Sequence, residues 1–356
     1  MKKIKQLLHL IFIDGLSGMA LGLFATLIIG TIIQQIGNLV DGNIGQLIFN
    51  IGKIAASLTG AGIGVGVAHK YKASPLVIFS AATAGMVGGF ANAILSGSIL
   101  VDGAIVLTGP GEPLGAFIAA AVGIAIGSLI SSKTKLDILL TPLVTISAGS
   151  AAGLLIGAPI ATFLSSIGSV INWATNQQPL IMGILVSVIM GVVLTAPISS
   201  AALGIILNLS GLAAGAATIG CCCNMVGFAV ASYRENKMGG LLAQGLGTSM
   251  LQVPNIVRHP LIWIPPIISS ALLAPLATLV LKMENNATGS GMGTSGLVGP
   301  LMTYQVMSET ASSTVVLAKI AVMHFILPAI VTLLISEYMR KKKWIKFGDM
   351  QLNLDK

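Results

Sequence analysis

Long apolar runs follow one another along this chain and leave little sequence for a water-facing surface. Each gap between them is short, and each run is close to the length of one membrane crossing, because about 20 consecutive apolar residues span the hydrocarbon core of a bilayer. The runs cover residues 10–36, 46–68, 75–100, 113–131, 136–164, 180–208, 211–232, 261–281 and 311–337. The pattern predicts an all-α, polytopic membrane helical bundle with about eight to ten transmembrane helices.

Charge is scarce, and its placement predicts an orientation. Charged residues are only 8% of the 356 residues, against about 25% in a soluble domain. The net charge of +8 comes from basic clusters in the gaps, which the positive-inside rule places on the cytoplasmic side together with both termini. The clusters are Lys2, Lys3 and Lys5; Lys70 and Lys72; Lys133 and Lys135; Arg234 and Lys237; Arg258; and Arg340 to Lys343. The basic balance therefore does not indicate a nucleic-acid partner.

The domain organisation follows from the same runs. The charged start "MKKIKQLLHLIF" predicts a retained first helix, since no cleavage site leads into a soluble domain. We expect one membrane-embedded domain over 1–340 and a short basic and polar cytoplasmic tail over 341–356. A phosphate loop, a zinc-type cluster and a Gly-x-Ser-x-Gly elbow are all absent, so we expect no metal and no cofactor. The consecutive cysteines 221–223 are read as small packing residues.

Topology predicts an interrupted helix late in the chain. An outer loop near residue 176 and an inner Arg234 require an odd number of crossings, yet 180–232 contains two apolar runs, separated at "TAPISS" (195–200) and "NLSG" (208–211). Irregular backbone at membrane depth survives only where protein or a water-filled cavity covers it. We therefore expect one of the two runs to be re-entrant or a broken helix, and we place a re-entrant hairpin near 213–230.

An internal repeat points to two more hairpins. "GLGTSMLQVP" (245–254) and "GMGTSGLVGP" (291–300) share Gly-x-Gly-Thr-Ser-x-Leu-x-x-Pro. The first motif lies between two basic clusters that are both placed inside, and the second motif lies on the outer side. Each segment would therefore enter the membrane from one face and return to the same face, and the two faces are opposite. We predict re-entrant hairpins near 239–254 and 291–308, whose helix ends can meet a ligand. The alternative is that Gly-Thr-Ser serves close helix packing.

Four acidic residues are candidates for function, because a charge inside a bilayer is costly. These are Asp14, Asp102, Glu112 and Glu309, whereas Glu235 and Glu337 stand beside basic clusters and are expected to be solvated or interfacial. Glu112 lies between Pro110 and Pro113, within glycines, in a turn that is rigid and near a helix N-terminus. It could position one hydroxyl of a ligand, or it could only cap the helix.

Polar residues at expected membrane depth complete the candidate site. Amides and hydroxyls can bind sugar hydroxyls, and amides can equally pin helices together. The candidate substrate-binding residues are Asn224, Gln244, Thr248, Ser249, Gln252, Asn255, Thr294, Ser295 and Glu309. At the inner mouth of the first hairpin, Arg258 and His259 suit a phosphate or partner contact, or lie there as interfacial residues.

These motifs together resemble a known family. "GPGEPLGAF" (109–117), "KTKLDILLTPLVT" (133–145), "LTAPISSAAL" (194–203) and the block 237–266 resemble the membrane-embedded IIC component of the bacterial phosphotransferase system, in the branch containing the perfringolysin-regulator-like (PfoR-like) proteins. The resemblance covers about 1–340. Family members carry a Gly-Ile-Thr-Glu-Pro sequence whose glutamate contacts the sugar hydroxyl that receives phosphate. This chain matches it at Gly109, Glu112 and Pro113. The match lies early in this chain, whereas the family's motif comes late.

The resemblance implies a function and partners. It implies a sugar permease of the bacterial cytoplasmic membrane, homodimeric, that binds a sugar for phosphorylation by a separate IIB protein supplied by IIA. Glu112 would then act as a general base, and the chain would be at most the membrane component of a phosphotransferase. Two alternatives stay open. One is a membrane sensor on the same fold without transport. The other is an ion-coupled carrier of another solute, with Asp14, Asp102 and Glu309 as coupling residues.

Overall fold

The computed structural model describes residues 10–352, and the regular secondary structure of this part is helical apart from one two-stranded hairpin and one isolated bridge. The prediction of an all-α polytopic membrane bundle is confirmed. Lys2, Lys3 and Lys5, and with them the predicted inner N-terminus, lie outside the described residues. The chain divides into two compact units, residues 1–164 and 165–356. The predicted boundary between a transport domain and a tail stays a prediction.

The first unit contains seven helices in its described part, the last of which runs on past residue 164. The elements in chain order are α1 (Ile13–Asn38), α2 (Gly42–Ser57), α3 (Thr59–Lys70), α4 (Pro75–Gly89), α5 (Ala91–Leu95), β1 (Leu100–Val101), β2 (Ala104–Ile105), α6 (Pro113–Ile130) and α7 (Asp137–Thr175). Helices α2 and α3 meet at a bend of 51°. The strands form an exposed antiparallel hairpin between α5 and α6.

Glycines bring the helices of the first unit into backbone contact. A Cβ added to Gly60 in α3 would lie 2.7 Å from the carbonyl oxygen of Gly85 in α4. Gly18 in α1 and Gly66 in α3 approach each other closely in the same way. Such contacts suit membrane helices, which associate through van der Waals packing of small residues because lipid provides no hydrophobic drive between them.

The second unit is built around one buried helix. Its helices in chain order are α8 (Pro179–Thr195), α9 (Ser200–Ile206), α10 (Gly211–Ala231), α11 (Tyr233–Leu242), α12 (Val253–Arg258), α13 (Pro260–Val280), α14 (Ala287–Ser290), α15 (Val298–Met307) and α16 (Ser313–Lys341). Helix α10 contacts α8, α13 and α16. Nearly all of its residues are buried, including Cys221 to Cys223, which form no disulfide.

The re-entrant hairpin predicted near 213–230 is wrong, because these residues lie within the continuous helix α10. The interruption falls earlier, between Thr195 and Gly211, where only the short α9 is helical. Helix α10 is 89% buried in its most apolar window, and its small residues let neighbours approach from all sides. An apolar run with this composition looks the same in sequence whether it is central or re-entrant.

Six helices of the described chain are long and apolar enough to cross a bilayer, and the bent pair α2–α3 would make a seventh. The six are α1, α6, α7, α10, α13 and α16. Helices α4 and α8 are also apolar but shorter, at 15 and 17 residues. The six long helices and the two short ones together make eight, and the bent pair makes nine, so the predicted eight to ten crossings are reached when the short helices are counted.

The chain after α16 packs back onto the second unit. We call residues 342–352 the C-terminal segment. Lys343 takes φ +61°, which turns the backbone, and Ile345 and Met350 are 2% and 0% exposed. They join Phe228 and Ile262 in one apolar cluster. Apolar residues alternate with lysines and polar residues here, and this pattern did not indicate which of them are buried.

Candidate functional site

Both Gly-Thr-Ser motifs lie at an interruption in the helices, and in both a 3-10 turn begins at the serine. In the first motif the helical backbone continues to Gly247, Thr248 is extended (φ −158°, ψ 141°), and a 3-10 turn begins at Ser249 and leads into α12. In the second, a turn follows α14, and a 3-10 turn begins at Ser295 and leads into α15. We call residues 245–249 the first break and 291–296 the second break.

The two breaks meet beside the middle of α10. The hydroxyl of Thr294 in the second break donates a hydrogen bond to the carbonyl oxygen of Gly245 in the first. Gly293 has φ +53°, and a Cβ there would lie 2.8 Å from the Cβ of Cys221. Only glycine satisfies both the left-handed backbone and this approach to the helix. The two copies of the sequence repeat therefore contact each other in the structure.

Asn224 joins the first break to three helices. Its Oδ1 accepts hydrogen bonds from Thr195 Oγ1 and Trp263 Nε1, both at 3.1 Å, and its Nδ2 donates to Ser270 Oγ at 3.4 Å. A hydrogen bond of 2.8 Å joins Thr195 Oγ1 to Ser249 Oγ. Asn224 itself is 0% exposed. Buried polar groups of this kind need partners, since an unpaired one is costly.

The other three candidate amides form a ladder that binds the C-terminal segment. Gln252 Nε2 donates to Gln244 Oε1 and Asn255 Nδ2 donates to Gln252 Oε1, each at 2.8 Å. Gln252 Nε2 also donates to the carbonyl oxygen of Met350 at 3.0 Å, and Asn255 Nδ2 to that of Gln351 at 2.9 Å. All four candidate amides therefore hydrogen-bond within the protein, and in this conformation they hold the first break and the C-terminal segment together.

The hydroxyls of the two breaks differ in whether they have a hydrogen-bond partner. Thr248 Oγ1 accepts a hydrogen bond from the backbone N–H of Met250 at 3.1 Å, and Ser249 and Thr294 are paired as described above. Ser295 is 3% exposed, and its Oγ has no hydrogen-bond partner among the described residues. A buried donor without a partner is a place where a ligand hydroxyl can bind.

Glu112 belongs to the first unit, and its backbone is fixed at both ends of the turn. Its N–H donates to the carbonyl oxygen of Gly89, at the end of α4, at 2.7 Å. Gly111 has φ +75°, and a Cβ there would lie 2.9 Å from that same oxygen. Glu112 is the N-cap residue of α6, Pro113 is at the first helical position, and the side chain is half-buried. The rigid frame that the sequence predicts is present in the structure.

Other predicted residues lie apart from the breaks. Glu309 is exposed in the turn between α15 and α16, and Arg258 is exposed at the end of α12. Exposed His259 has its Nδ1 3.7 Å from Asp349 Oδ1 in the C-terminal segment. Asp102 is exposed at the tip of the β1–β2 hairpin, so ion coupling within the protein interior finds no support there.

Asp14 has a neighbour that the sequence did not indicate. Burial raises the pKa of Tyr71 to about 12, and the carboxylate of Asp14 adds to the rise. The phenol therefore stays protonated at physiological pH and can act as a hydrogen-bond donor, not as a base.

Glu235 was expected to be solvated or interfacial, and its side chain is not solvated. Its side chain is 0% exposed, and Oε1 accepts hydrogen bonds from Arg340 at 2.8 Å and from the N–H of Gly348 at 3.3 Å. Neighbouring Arg234 pairs with Glu337 at 2.9 Å and is 61% exposed. Sequence neighbours on a helix point to different sides, and a basic cluster does not show which side is buried.

Thr195, Trp263 and Ser270 were missed as members of the Asn224 network. Thr195 ends α8 directly before "APISS", so its place at an interruption was a usable signal. Trp263 and Ser270 lie in an apolar run and gave none. Within residues 10–352, no group of three or more His, Cys, Asp or Glu side chains could hold a metal ion.

Comparison with known proteins identifies a family. No curated protein matches the sequence. The family described as "Phosphotransferase system, EIIC" matches residues 13–352, which include both units, the GPGEP turn, both breaks and the C-terminal segment. The expected resemblance is thereby confirmed at the level of the family. The chain belongs to the EIIC family of the phosphotransferase system, whose members are multi-pass, sugar-specific permease components.

Proposed function

We propose that this protein carries a sugar across the bacterial cytoplasmic membrane, with the sugar bound where the two breaks meet in the second unit. The observation that carries the proposal is the contact of Thr294 with Gly245 beside α10. Where a helix is interrupted, backbone N–H and C=O groups leave the helical ladder and can bind a polar ligand, as in other carriers with interrupted helices. The two repeats supply two such sets of groups at one place.

The hydroxyl residues of the breaks are the proposed ligands for the sugar. Ser295 Oγ is the strongest candidate, because it is buried and has no partner among the described residues. Thr248, Ser249 and Thr294 lie in the same two breaks. We assign a supporting role to the four amides, which fix the positions of the breaks through the hydrogen bonds described above.

For phosphorylation we propose a separate cytoplasmic IIB protein, supplied by IIA, and a homodimeric carrier with both termini on the cytoplasmic side. Arg258 and His259 are exposed beside the C-terminal segment, which suits contact with a phosphorylated partner. Glu112 is the proposed general base for the sugar hydroxyl that receives phosphate. Its support is the family resemblance and the rigid turn, whose backbone is bound to Gly89.

Uptake of labelled sugars tests the proposed site. Vesicles containing the full chain, with phosphorylated IIA and IIB inside, should accumulate a labelled sugar from a panel of hexoses and hexitols. Ser295→Ala should lower uptake about tenfold, the worth of one lost hydrogen bond of about 1.4 kcal/mol. Ser96→Ala, which removes an exposed hydroxyl, is the matched control. Normal uptake by Ser295→Ala would remove this residue from the site.

The same vesicles test Glu112 and the sensor alternative. Glu112→Gln should abolish phosphorylation-linked uptake while the protein remains folded, and Glu284→Gln, at an exposed loop position, should not. Equal uptake by Glu112→Gln and the native chain would exclude the general-base role. Binding of a sugar to the purified protein without accumulation by vesicles, with phosphorylated partners present, would favour a sensor over a carrier.

A further inference from the structure

A cationic cleft lies at the end of the last helix, away from the two breaks. It has a volume of about 370 Å³ and lies between α11, the end of α16 and the C-terminal segment. The lining side chains are four cations and two apolar residues: Arg234, Arg340, Lys343, Lys346, Ile345 and Phe347. The proposed carrier function uses none of them.

The charges around the cleft do not balance. Arg234 pairs with Glu337, and Arg340 pairs with Glu235. Lys343 and Lys346 have no acidic side chain within 4.0 Å among residues 10–352. One further acid is near: Asp349 accepts a hydrogen bond from the backbone N–H of Lys346 at 2.7 Å and lies beside His259. The ammonium groups of the two lysines are thus left for an external anion.

Backbone hydrogen bonds at the end of α16 fix the positions of these two lysines. Trp344 N–H donates to the carbonyl oxygen of Met339, and Lys343 N–H to that of Arg340, which closes the end of α16. This ending puts Lys343 at φ +61°, where glycine is the favoured residue. Buried Ile345 then anchors the chain between the two lysines.

We propose that this cleft binds the phosphate group of an anion, with the headgroup of an anionic phospholipid as the favoured source. The ammonium groups of Lys343 and Lys346 can bind phosphate oxygens. The two arginines of the lining are paired with Glu337 and Glu235. The cleft opens at the end of a membrane-spanning helix, and Phe347 and Trp344 beside it are 75% and 55% exposed. Aromatic residues of this kind lie at the level of lipid headgroups, and basic residues next to a membrane helix attract anionic lipid.

The chain offers a matched pair of variants for the test. Lys343→Gln with Lys346→Gln removes two charges from the cleft, and Lys341→Gln with Lys342→Gln removes two charges from the same basic run outside the lining. Full-length protein in a neutral detergent is titrated with phosphatidylglycerol, with phosphatidylcholine and with inorganic phosphate. Binding is read by native mass spectrometry and by the shift of the melting temperature.

The expected result is preferential binding of phosphatidylglycerol over phosphatidylcholine. We expect affinity to fall about tenfold or more in the cleft variant and to change less than about twofold in the control. Lys343→Gly, which keeps the left-handed turn, should also weaken binding, and this separates charge from folding. Binding of inorganic phosphate with the same dependence on Lys343 and Lys346 supports the phosphate site and assigns it to a soluble anion. Equal losses in cleft and control variants, or equal binding of the two lipids, would overturn the proposal.

Discussion

The two units of this protein solve the problem of helix packing in lipid in different ways. In the first unit most buried hydroxyls bond back to their own helices, and the contacts between helices are backbone against glycine. These hydroxyls are Thr31, Ser80, Thr141 and Thr145, whereas Thr59 bonds across the α2–α3 bend to Ala56. In the second unit buried polar side chains bond between elements. The examples are Ser187 to Ser270, Ser200 to Gly291, and Asn285 to Thr218 and Gly299.

The two units differ in their polar contacts because they differ in the regularity of their backbone. The first unit is mostly regular helix, so its backbone groups are satisfied within each helix. The second unit contains both breaks and the short α9, and each interruption releases backbone groups that need side-chain partners. Polar side chains therefore concentrate where the helices are broken. In a chain of nearly uniform apolar composition, this concentration marks the unit in which a polar ligand can be bound.

The largest effect is expected from the buried ion pair of the second unit. Glu235→Gln leaves the Arg340 charge buried without its partner, and breaking such a pair costs about 3–5 kcal/mol. Arg234→Gln breaks the exposed pair between the same two helices and should cost less than about 1 kcal/mol. Unfolding in a titration with denaturing detergent measures both. Similar losses for the two pairs would contradict the burial difference of Arg340 at 9% and Arg234 at 61% exposure.

Glycine packing in the first unit should give the next largest effect. Gly60→Ala places a methyl group against the backbone of Gly85 and Met86, and overpacking of this kind costs about 1–3 kcal/mol. Gly239→Ala is the matched control, since an added Cβ there meets nothing within 4 Å, and alanine favours a helix. The melting temperature in detergent should fall for the first variant and stay or rise for the second. No loss in Gly60→Ala would show that the α3–α4 contact can relax.

A loss of the same order is expected when one member of the polar network is removed. Asn224→Ala leaves Thr195 and Trp263 without their shared acceptor, and an unsatisfied buried group costs about 1–3 kcal/mol. Gln46→Ala, at an exposed amide of the first unit, should be neutral. Trp263 provides a local probe, because its fluorescence should change in Asn224→Ala only. An unchanged spectrum together with unchanged stability would argue against the network.

Much of this architecture could be predicted from sequence, and the reasons for the rest are physical. The apolar runs, the frame of Glu112 and the two breaks are local properties of composition and of glycine and proline, so they were visible. Other features depend on which side of a helix contacts a neighbour. These are the burial of Glu235, the hydrogen bonds between the amide ladder and the C-terminal segment, and the central position of α10. Periodicity does not reveal this in a helix that is apolar on every side.

The packing of the C-terminal segment has a consequence for the order of biosynthesis. Ile345 and Met350 belong to the apolar cluster of the second unit, yet they are translated after every membrane-spanning helix. The second unit can therefore complete its core only when the last helix has been inserted, whereas the first unit has all its parts much earlier. A nascent chain stalled after α16 should contain a finished first unit and an open second one.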